Sequence, residues 1–214
     1  MAYFITFEGV EGCGKSTQAA ILSRELQDEA GCQVVATREP GGCPIADKIR
    51  GILLDADNCA LVPLAELLLY AAARAQHVAE IIRPALAEGK IVLCDRFIDA
   101  TAAYQGHGRA LDLALIENLA QLATGGLTPD LTILLDCPEE VGINRAMARI
   151  NATSGDREER FEQESLRFHQ AVREGYLKLA AEHPERFIVI DGTLGISETA
   201  TAIRKAVFSR IPRG

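Results

Sequence analysis

The segment Gly9-Val10-Glu11-Gly12-Cys13-Gly14-Lys15-Ser16 matches the pattern G-x-x-x-x-G-K-[ST] and decides the fold class that we predict for the chain. An apolar run at 3–8 predicts a strand before this segment, and residues 15 to about 30 predict a helix after it. Glycines allow backbone N–H groups to converge on a phosphate, and the positive end of the following helix attracts the same anion. The segment therefore predicts a phosphate loop that binds a nucleoside triphosphate.

Side chains within the phosphate loop have distinct expected roles. Lys15 should reach the β- and γ-phosphates, and the Ser16 hydroxyl should take a position on Mg²⁺. Glu11 is unusual because bound phosphates repel a carboxylate. It either faces solvent or meets a metal-bound water or an arginine beside the acceptor. The predicted ATP-binding residues are Gly9, Val10, Glu11, Gly12, Cys13, Gly14, Lys15, Ser16, Thr17 and Arg145.

Short apolar runs alternate with helical stretches along the remaining chain. Further strands are predicted at 33–37, 91–95, 131–136 and 187–191. Helices are predicted at 44–54, 63–86 with a kink near Pro84, 112–123, 139–149, 161–182 and 198–208. Because the strands lack a period of two and are separated by helices, they indicate an α/β protein with a five-stranded parallel sheet covered on both faces.

The composition of the 214 residues excludes several classes of protein. Apolar residues make up 48% and charged residues 24%, which argues against disorder, and no apolar run is long enough to span a membrane. The net charge of −8 argues against a broad nucleic-acid interface. The amino-terminal residues lack the basic and apolar regions of a signal peptide, so we expect a cytoplasmic protein. The six cysteines form no CxxC pair, and we expect free thiols.

Polar residues that follow the predicted strands indicate a second ligand beside the phosphate loop. Asp95 ends the strand at 91–95, and it either approaches Mg²⁺ through water or caps the next helix. Arg96 should lie beside the phosphates, where its planar guanidinium can hold two oxygens. The segment Arg38-Glu39-Pro40-Gly41-Gly42 also follows a strand, either as a plain turn or on the ligand side.

Tyr70 and Arg74 lie four residues apart on a predicted helix and share a face. One interpretation is a base pocket, in which the ring stacks on a base and the arginine reads its edge. The other is a core tyrosine beside a surface arginine.

A group of arginines surrounds the polar stretch 151–160. Its members are Arg145, Arg149, Arg157 and Arg160. They form either a solvated face or a lid that closes over phosphates and supplies a cation to the transition state. The presence of a phosphate loop favours the lid.

Taken together, these residues resemble the thymidylate kinase family, P-loop enzymes that phosphorylate dTMP with ATP. The resemblance covers nearly the whole chain and rests on an ordered set of motifs. These are Phe7-Glu8-Gly9, Arg38-Glu39-Pro40-Gly41-Gly42, Tyr70 through Arg74, Asp95-Arg96-Phe97, Ala103-Tyr104-Gln105-Gly106, Arg160-Phe161-Glu162 and Gly175-Tyr176-Leu177. The resemblance implies a three-layer α/β/α P-loop nucleoside monophosphate kinase fold, with residues 1–214 as one domain and a short lid near 149–160.

The resemblance also implies an activity and its partners. The reaction would be ATP + dTMP → ADP + dTDP, with Mg²⁺ accompanying ATP. Family members usually form homodimers, and nothing in the resemblance suggests binding to nucleic acid or a membrane.

Individual roles follow from the resemblance as well. Arg74 would read the thymine edge, Tyr70 would stack on the ring, and Arg96 would contact the acceptor phosphate. Tyr104 would lie by the deoxyribose and Tyr176 near the acceptor. The implied dTMP-binding residues are Glu11, Pro40, Tyr70, Arg74, Arg96, Thr101, Tyr104, Gln105 and Tyr176. The implied catalytic residues are Lys15, Arg96, Arg149, Arg157 and Arg160, the last three in the lid as in bacterial-type members, and the implied Mg²⁺ ligands are Ser16 and Asp95.

The chain departs from the family pattern at two places. Ala100 stands where the family usually has serine, and we expect the neighbouring Thr101 to supply the hydroxyl. The lid motif reads Glu159-Arg160 where the family usually has Asp-Arg.

Two other functions stay open on the sequence. Another deoxynucleoside or nucleoside monophosphate kinase of the same superfamily would share the phosphate loop. A hydroxyl acceptor would then need a general base, for which Glu39 is a candidate. A nucleotide-dependent switch would share the loop too, but the Asn-Lys-x-Asp motif of guanine-binding switches is absent.

Overall fold

A single five-stranded sheet organises the part of the chain that the computed structural model describes, which is residues 2–152, 160–161 and 164–211. The strands are β1 (Tyr3–Glu8), β2 (Val34–Arg38), β3 (Ile91–Asp95), β4 (Leu131–Asp136) and β5 (Phe187–Asp191). Their order across the sheet is β2-β3-β1-β4-β5, and every neighbouring pair is parallel. The predicted five-stranded parallel sheet is therefore confirmed.

The central strands are buried on both faces. On one face, Phe4 of β1 and Val92 of β3 pack with Ile82. On the other face, Ile5 and Leu93 of the same two strands belong to the main core of the protein. Because successive side chains of a strand point to opposite faces, both faces must be covered, which produces three layers.

Helices cover the sheet at nearly the predicted positions. They are α1 (Lys15–Asp28), α2 (Pro44–Leu54), α3 (Pro63–His77), α4 (Arg83–Ala87), α5 (Ile98–Thr101), α6 (Leu113–Thr124), α7 (Glu139–Ala152), α8 (Leu166–Glu182) and α9 (Ile196–Arg210). Among the described residues, no helix is both long enough and apolar enough to cross a membrane.

Three helical regions differ from the prediction. The helix predicted at 63–86 is regular only to His77, because a π-helical segment, Val78–Ile82, separates α3 from α4. The helix predicted from 161 begins at Leu166, since the Ser165 side chain accepts a hydrogen bond from the Phe168 N–H and caps it. No helix was predicted at 98–108, where α5 continues into a π-helical segment that contains glycines at 106 and 108.

Parallel pairing brings the carboxyl ends of the strands to one edge of the sheet. Phe7 of β1 lies opposite Asp95 of β3, and Glu8 lies opposite Leu134 of β4. The loops that follow β1 and β3 therefore lie side by side, where ligands bind in open α/β sheets.

Candidate active site

The phosphate loop joins β1 to α1 through backbone angles that favour glycine. Gly9, Gly12 and Gly14 have φ values of 136°, 67° and 99°, all in the region that L side chains rarely adopt. A Cβ atom at Gly9 would lie 2.5 Å from the carbonyl oxygen of Leu135. A Cβ atom at Gly12 would lie 2.0 Å from the carbonyl oxygen of Gly142 on α7. The loop therefore requires glycine at positions 9 and 12 for both conformation and space.

Lys15 begins α1 and turns its ammonium group back over the phosphate loop. Its Nζ donates hydrogen bonds to the carbonyl oxygens of Gly9 at 3.1 Å and Val10 at 2.8 Å. The side chain is buried, and Nζ also lies 3.5 Å from Cys13 Sγ. The charge is thus held at the amino-terminal end of a helix, where the helix dipole also favours an anion.

Ser16 and Asp95 meet where β3 ends. The Ser16 hydroxyl donates a hydrogen bond to Asp95 Oδ2, which joins the first turn of α1 to β3. Asp95 is not the cap of the next helix, because the N-cap position of α5 is Phe97. Hydroxyl and carboxylate oxygens are hard ligands of the kind that Mg²⁺ prefers. Within the described ranges no cluster of three or more His, Cys, Asp or Glu could hold a metal, so a cation here would also need water or phosphate oxygens.

Arg96 lies between the phosphate loop and two tyrosines. Its φ of 70° is in the left-handed region, and its N–H donates to the Phe7 carbonyl oxygen at 2.9 Å. Its Nη1 donates to the Gly9 carbonyl oxygen and to the Tyr176 hydroxyl, each at 3.1 Å. The guanidinium carbon lies 4.8 Å from the centre of the Tyr104 ring. These contacts fix a planar cation next to the loop.

Glu11 is buried against Arg96 rather than exposed to solvent. Its Oε1 accepts hydrogen bonds from Arg96 Nη2 at 3.1 Å and from the Tyr104 hydroxyl at 2.5 Å. Its Oε2 lies 3.4 Å from His169 Nδ1. Burial alone would raise the pKa of Glu11, but His169, Arg96, Lys15 and Tyr104 together lower the pKa to about 2. Glu11 is therefore a carboxylate that meets the arginine beside the phosphate loop, one of the alternatives left open by the sequence.

A second buried carboxyl group, Glu8, supports the backbone around Arg96. Its Oε1 accepts a hydrogen bond from the Phe97 N–H at 2.7 Å, and its Oε2 accepts one from the Tyr176 hydroxyl at 2.8 Å. Burial and the nearby charge of Asp99 raise the pKa of Glu8 to about 7, although Arg96 opposes this shift. Two carboxyl groups three residues apart thus have pKa values shifted in opposite directions.

Arg74 is a buried residue, which excludes the interpretation of a surface arginine. It is 3% exposed, and its Nε donates to Glu39 Oε2 at 2.7 Å. Its Nη2 donates to the Phe97 carbonyl oxygen at 3.0 Å. Glu39 is also 3.0 Å from His77 Nδ1, so the carboxylate is held from two sides. Tyr70 lies one turn earlier on the same side of α3 and is partly exposed, as a base pocket requires.

The remaining residues predicted to bind dTMP have different environments. Thr101 Oγ1 is buried and has no hydrogen-bond partner in the part of the chain that the structure describes. Gln105 Nε2 donates to Glu66 Oε1 at 2.7 Å, so its amide is directed at α3. Pro40 follows a cis peptide bond from Glu39, next to the Arg74 contact. Of these side chains, the Thr101 hydroxyl is the one left available for a ligand.

The arginines of the predicted lid region separate in the structure. Arg145 on α7 donates to the carbonyl oxygens of Gly192 at 2.8 Å and Thr193 at 3.4 Å, in the loop after β5. Arg149 lies in the last turn of α7, and Arg157 lies outside the described residues. Arg145 therefore links α7 to the carboxyl edge of the sheet, while the roles predicted for the other two stay predictions.

Arg160 contacts α2 and α3. Its Nε donates to the Leu53 carbonyl oxygen at 2.5 Å, and its Nη2 lies 2.7 Å from Glu66 Oε2. The guanidinium carbon also lies 4.7 Å from the centre of the Phe161 ring. The structure gives Arg160 a buried anchoring contact in this arrangement, and its catalytic role stays a prediction.

Two features of the site were not predicted from the sequence. His169 was not singled out, although it lies two helical turns before Tyr176 and therefore on the same face of α8. Glu39 was predicted within the segment 38–42 and considered as a base, but its ion pair with Arg74 was not predicted. The spacing along α8 could have indicated His169, whereas the Glu39 contact depends on how β2 and α3 pack.

Comparisons with known proteins agree with this geometry. A family model described as thymidylate kinase matches residues 7–203. The chain is 65% identical over 208 residues to a thymidylate kinase of Trichlorobacter lovleyi, an alignment that covers 97% of this chain and 98% of the relative. It is 64% identical over 213 residues to a thymidylate kinase of Geobacter sulfurreducens, with both chains fully covered.

A solved structure supports the same assignment. The crystal structure of thymidylate kinase from Ehrlichia chaffeensis superposes with a TM-score of 0.77 at 34% identity, over 96% of this chain and 98% of that chain. The family match, the full-length relatives and the phosphate loop facing Arg96 lead to one conclusion. The chain belongs to the thymidylate kinase family.

Proposed function

We propose that the chain transfers the γ-phosphoryl group of ATP to dTMP in the cleft between the phosphate loop and α3, giving ADP and dTDP. The observation that carries this proposal is the position of Arg96, which contacts Gly9 and Glu11 of the loop and Tyr176 on α8. A cation in this place can touch phosphates that enter from either side. It therefore suits a reaction in which two phosphorylated nucleotides meet end to end.

On the donor side, the loop amides and Lys15 would bind the ATP phosphates. Lys15 Nζ now bonds to loop carbonyl oxygens, and a bound phosphate would offer it a charged acceptor instead. Arg145, at the loop after β5, would lie along the nucleoside. The lid near 149–160 would supply a further arginine, with Arg149, Arg157 and Arg160 as the candidates.

Ser16 and Asp95 would hold Mg²⁺, Asp95 through water. Their two oxygens already lie within hydrogen-bond reach of each other, which fits a cation that takes few protein ligands. When bound, the ion would neutralise charge on the β- and γ-phosphates.

On the acceptor side, Arg74 and Tyr70 would bind the thymine base, and Tyr104 would lie by the deoxyribose. No general base is required, because a phosphate oxygen with a second pKa near 6 is already largely ionised at neutral pH. Glu39, the base considered for a hydroxyl acceptor, is held by Arg74 and His77. This arrangement favours a nucleoside monophosphate over a nucleoside as the acceptor.

We further propose that the protein is a cytoplasmic homodimer and that residues 1–214 form one domain. All six cysteines are free thiols, which suits a reducing compartment. Exposed leucines on α3 and α6 would form the dimer surface; these are Leu64, Leu68, Leu115 and Leu122. Sedimentation equilibrium would give twice the chain mass of 23.1 kDa if this proposal is correct.

An ADP-release assay with a panel of acceptors tests the catalytic proposal. The panel is dTMP, dUMP, UMP and thymidine, each with ATP and Mg²⁺. We expect the highest kcat/KM with dTMP and no turnover with thymidine. Turnover fastest with thymidine would indicate a deoxynucleoside kinase, and ADP release that no acceptor changes would indicate a nucleotide switch.

A further inference from the structure

His169 is completely buried on α8, yet it has few polar partners. Neither ring nitrogen has a hydrogen-bond partner within the described ranges. The Glu11 carboxylate lies beside the ring, with Nδ1 and Oε2 separated by 3.4 Å. The same Oε2 atom has no other partner among the described residues. Two buried polar groups therefore face each other across one short gap.

A second fully buried histidine shows what a structural histidine looks like in this protein. His77 Nε2 lies 2.7 Å from the Thr37 hydroxyl, and His77 Nδ1 lies 3.0 Å from Glu39. Both nitrogens of His77 are thus satisfied by the surrounding core. His169 lies instead beside the aromatic residue Phe168, where an apolar side chain would avoid an unsatisfied polar group. Its contact with Glu11 is the feature that distinguishes it.

The two oxygens of Glu11 are held unequally. Arg96 and Tyr104 both donate to Oε1, whereas Oε2 has the His169 ring as its neighbouring polar group within the described residues. We propose that His169 is a positioning residue, whose Nδ1–H holds Oε2 of Glu11 and thereby fixes the carboxylate that aligns Arg96 for the acceptor phosphate. This inference rests on the proposed function, because it assumes that Arg96 binds dTMP.

Substitutions of His169 separate this role from packing. H169N keeps an N–H donor near the position of Nδ1, whereas H169L and H169F fill the space without a donor. H183L removes a half-exposed histidine at the carboxyl end of α8, where it lies 3.7 Å from Glu185, and it is the control. The measurements are kcat, KM for dTMP and KM for ATP, together with Tm and calorimetric titration with dTMP alone.

We expect H169L and H169F to raise the KM and the Kd for dTMP about tenfold, since each removes the polar group that faces the buried Glu11 carboxylate. KM for ATP should change less than about twofold, because the donor loop keeps its own contacts. H169N should recover most of the loss, and H183L should match the wild type. Equal behaviour of H169N and H169L, or equal changes in both KM values, would overturn the inference.

Failure of the H169L and H169F variants to fold would also decide the inference. If neither H169L nor H169F folds while H169N is fully active, the donor is needed for the fold itself and the positioning role is overturned. A wild-type enzyme without dTMP turnover would instead overturn the proposed function. The two failures are therefore distinguishable.

Discussion

The proposed donor and acceptor sides of the cleft are built in different ways. The donor side is one continuous segment, 9–16, whose glycine conformations bring backbone amides and Lys15 together. The acceptor side consists of side chains from separate elements, such as Arg74 on α3, Arg96 after β3 and Tyr176 on α8. The difference teaches that backbone conformation shapes the phosphate loop, whereas buried side-chain contacts hold the residues of the proposed acceptor side.

Glu11 is where the two sides meet. It belongs to the loop by sequence, but its carboxylate bonds to Arg96 and Tyr104. Any change that moves the loop should therefore also displace Arg96 and Tyr104 through their hydrogen bonds to Glu11. Substitutions on one side at a time show whether the binding of ATP and of dTMP can change independently.

Removing the donor cation should have the largest effect. Lys15→Ala deletes the ammonium group held inside the loop, and we expect kcat to fall by about 10³-fold or more because the charge on the moving phosphoryl group is no longer neutralised. Initial-rate kinetics at saturating ATP and dTMP measure this loss. The exposed Lys48 on α2 provides the control, and K48A should leave kcat unchanged. A kcat for K15A within tenfold of the wild type would remove Lys15 from the mechanism.

Substituting Arg74 on the proposed acceptor side should change the KM for dTMP much more than the KM for ATP. Arg74→Ala should raise KM for dTMP about 100-fold, since it removes a buried cation proposed to bind the base, while KM for ATP changes about twofold. R74K is the matched variant, because it keeps the charge and loses the planar geometry. It should recover only part of the affinity. Equal changes in both KM values would show that Arg74 supports the whole fold rather than a base pocket.

The raised pKa of Glu8 predicts that the stability of the protein depends on pH. Because the pKa of Glu8 is raised from 4.5 to about 7, the folded state binds more protons than the unfolded state between these values. Its contribution to the free energy of unfolding should therefore fall by about 3 kcal/mol as the pH rises from 4.5 to 7. Urea unfolding of the wild type and E8Q at pH 5, 6, 7 and 8 tests this difference. Parallel curves for the two proteins would contradict the assignment.

The smallest expected effect concerns the contact between the loop and α7. A Cβ atom at Gly142 would lie 2.4 Å from the Glu11 carbonyl oxygen and 3.2 Å from Val10 Cγ2. Gly142→Ala should therefore displace the loop and raise KM for ATP about tenfold. Gly51 on α2 has no neighbour within 4 Å of its added Cβ, so G51A should keep the wild-type KM and raise Tm slightly. A G142A enzyme with unchanged KM would show that the loop tolerates the shift.

Local patterns were sufficient to predict the fold class and the glycine-rich loop at 9–16. The β1, β3 and β4 strands lie where their apolar runs are, since a buried parallel strand must be apolar along its length. The loop at 9–16 was predicted because its conformation depends on which positions are glycine. The helical segment at 98–108 was missed, because glycines at 106 and 108 disfavour a helix that tertiary packing nevertheless stabilises.

The amino-acid sequence by itself determined the positions of the strands, the phosphate loop and the residue types around it, because each of these depends on neighbours within one turn or one strand. The tertiary structure alone decided which of those residues meet. Arg74 and Glu39 are 35 residues apart, Arg96 and Glu11 are 85 apart, and Tyr176 and Glu8 are 168 apart. Such pairs form only when the sheet and its helices have packed. Packing also buries the paired groups, and burial strengthens their interaction and shifts their pKa values.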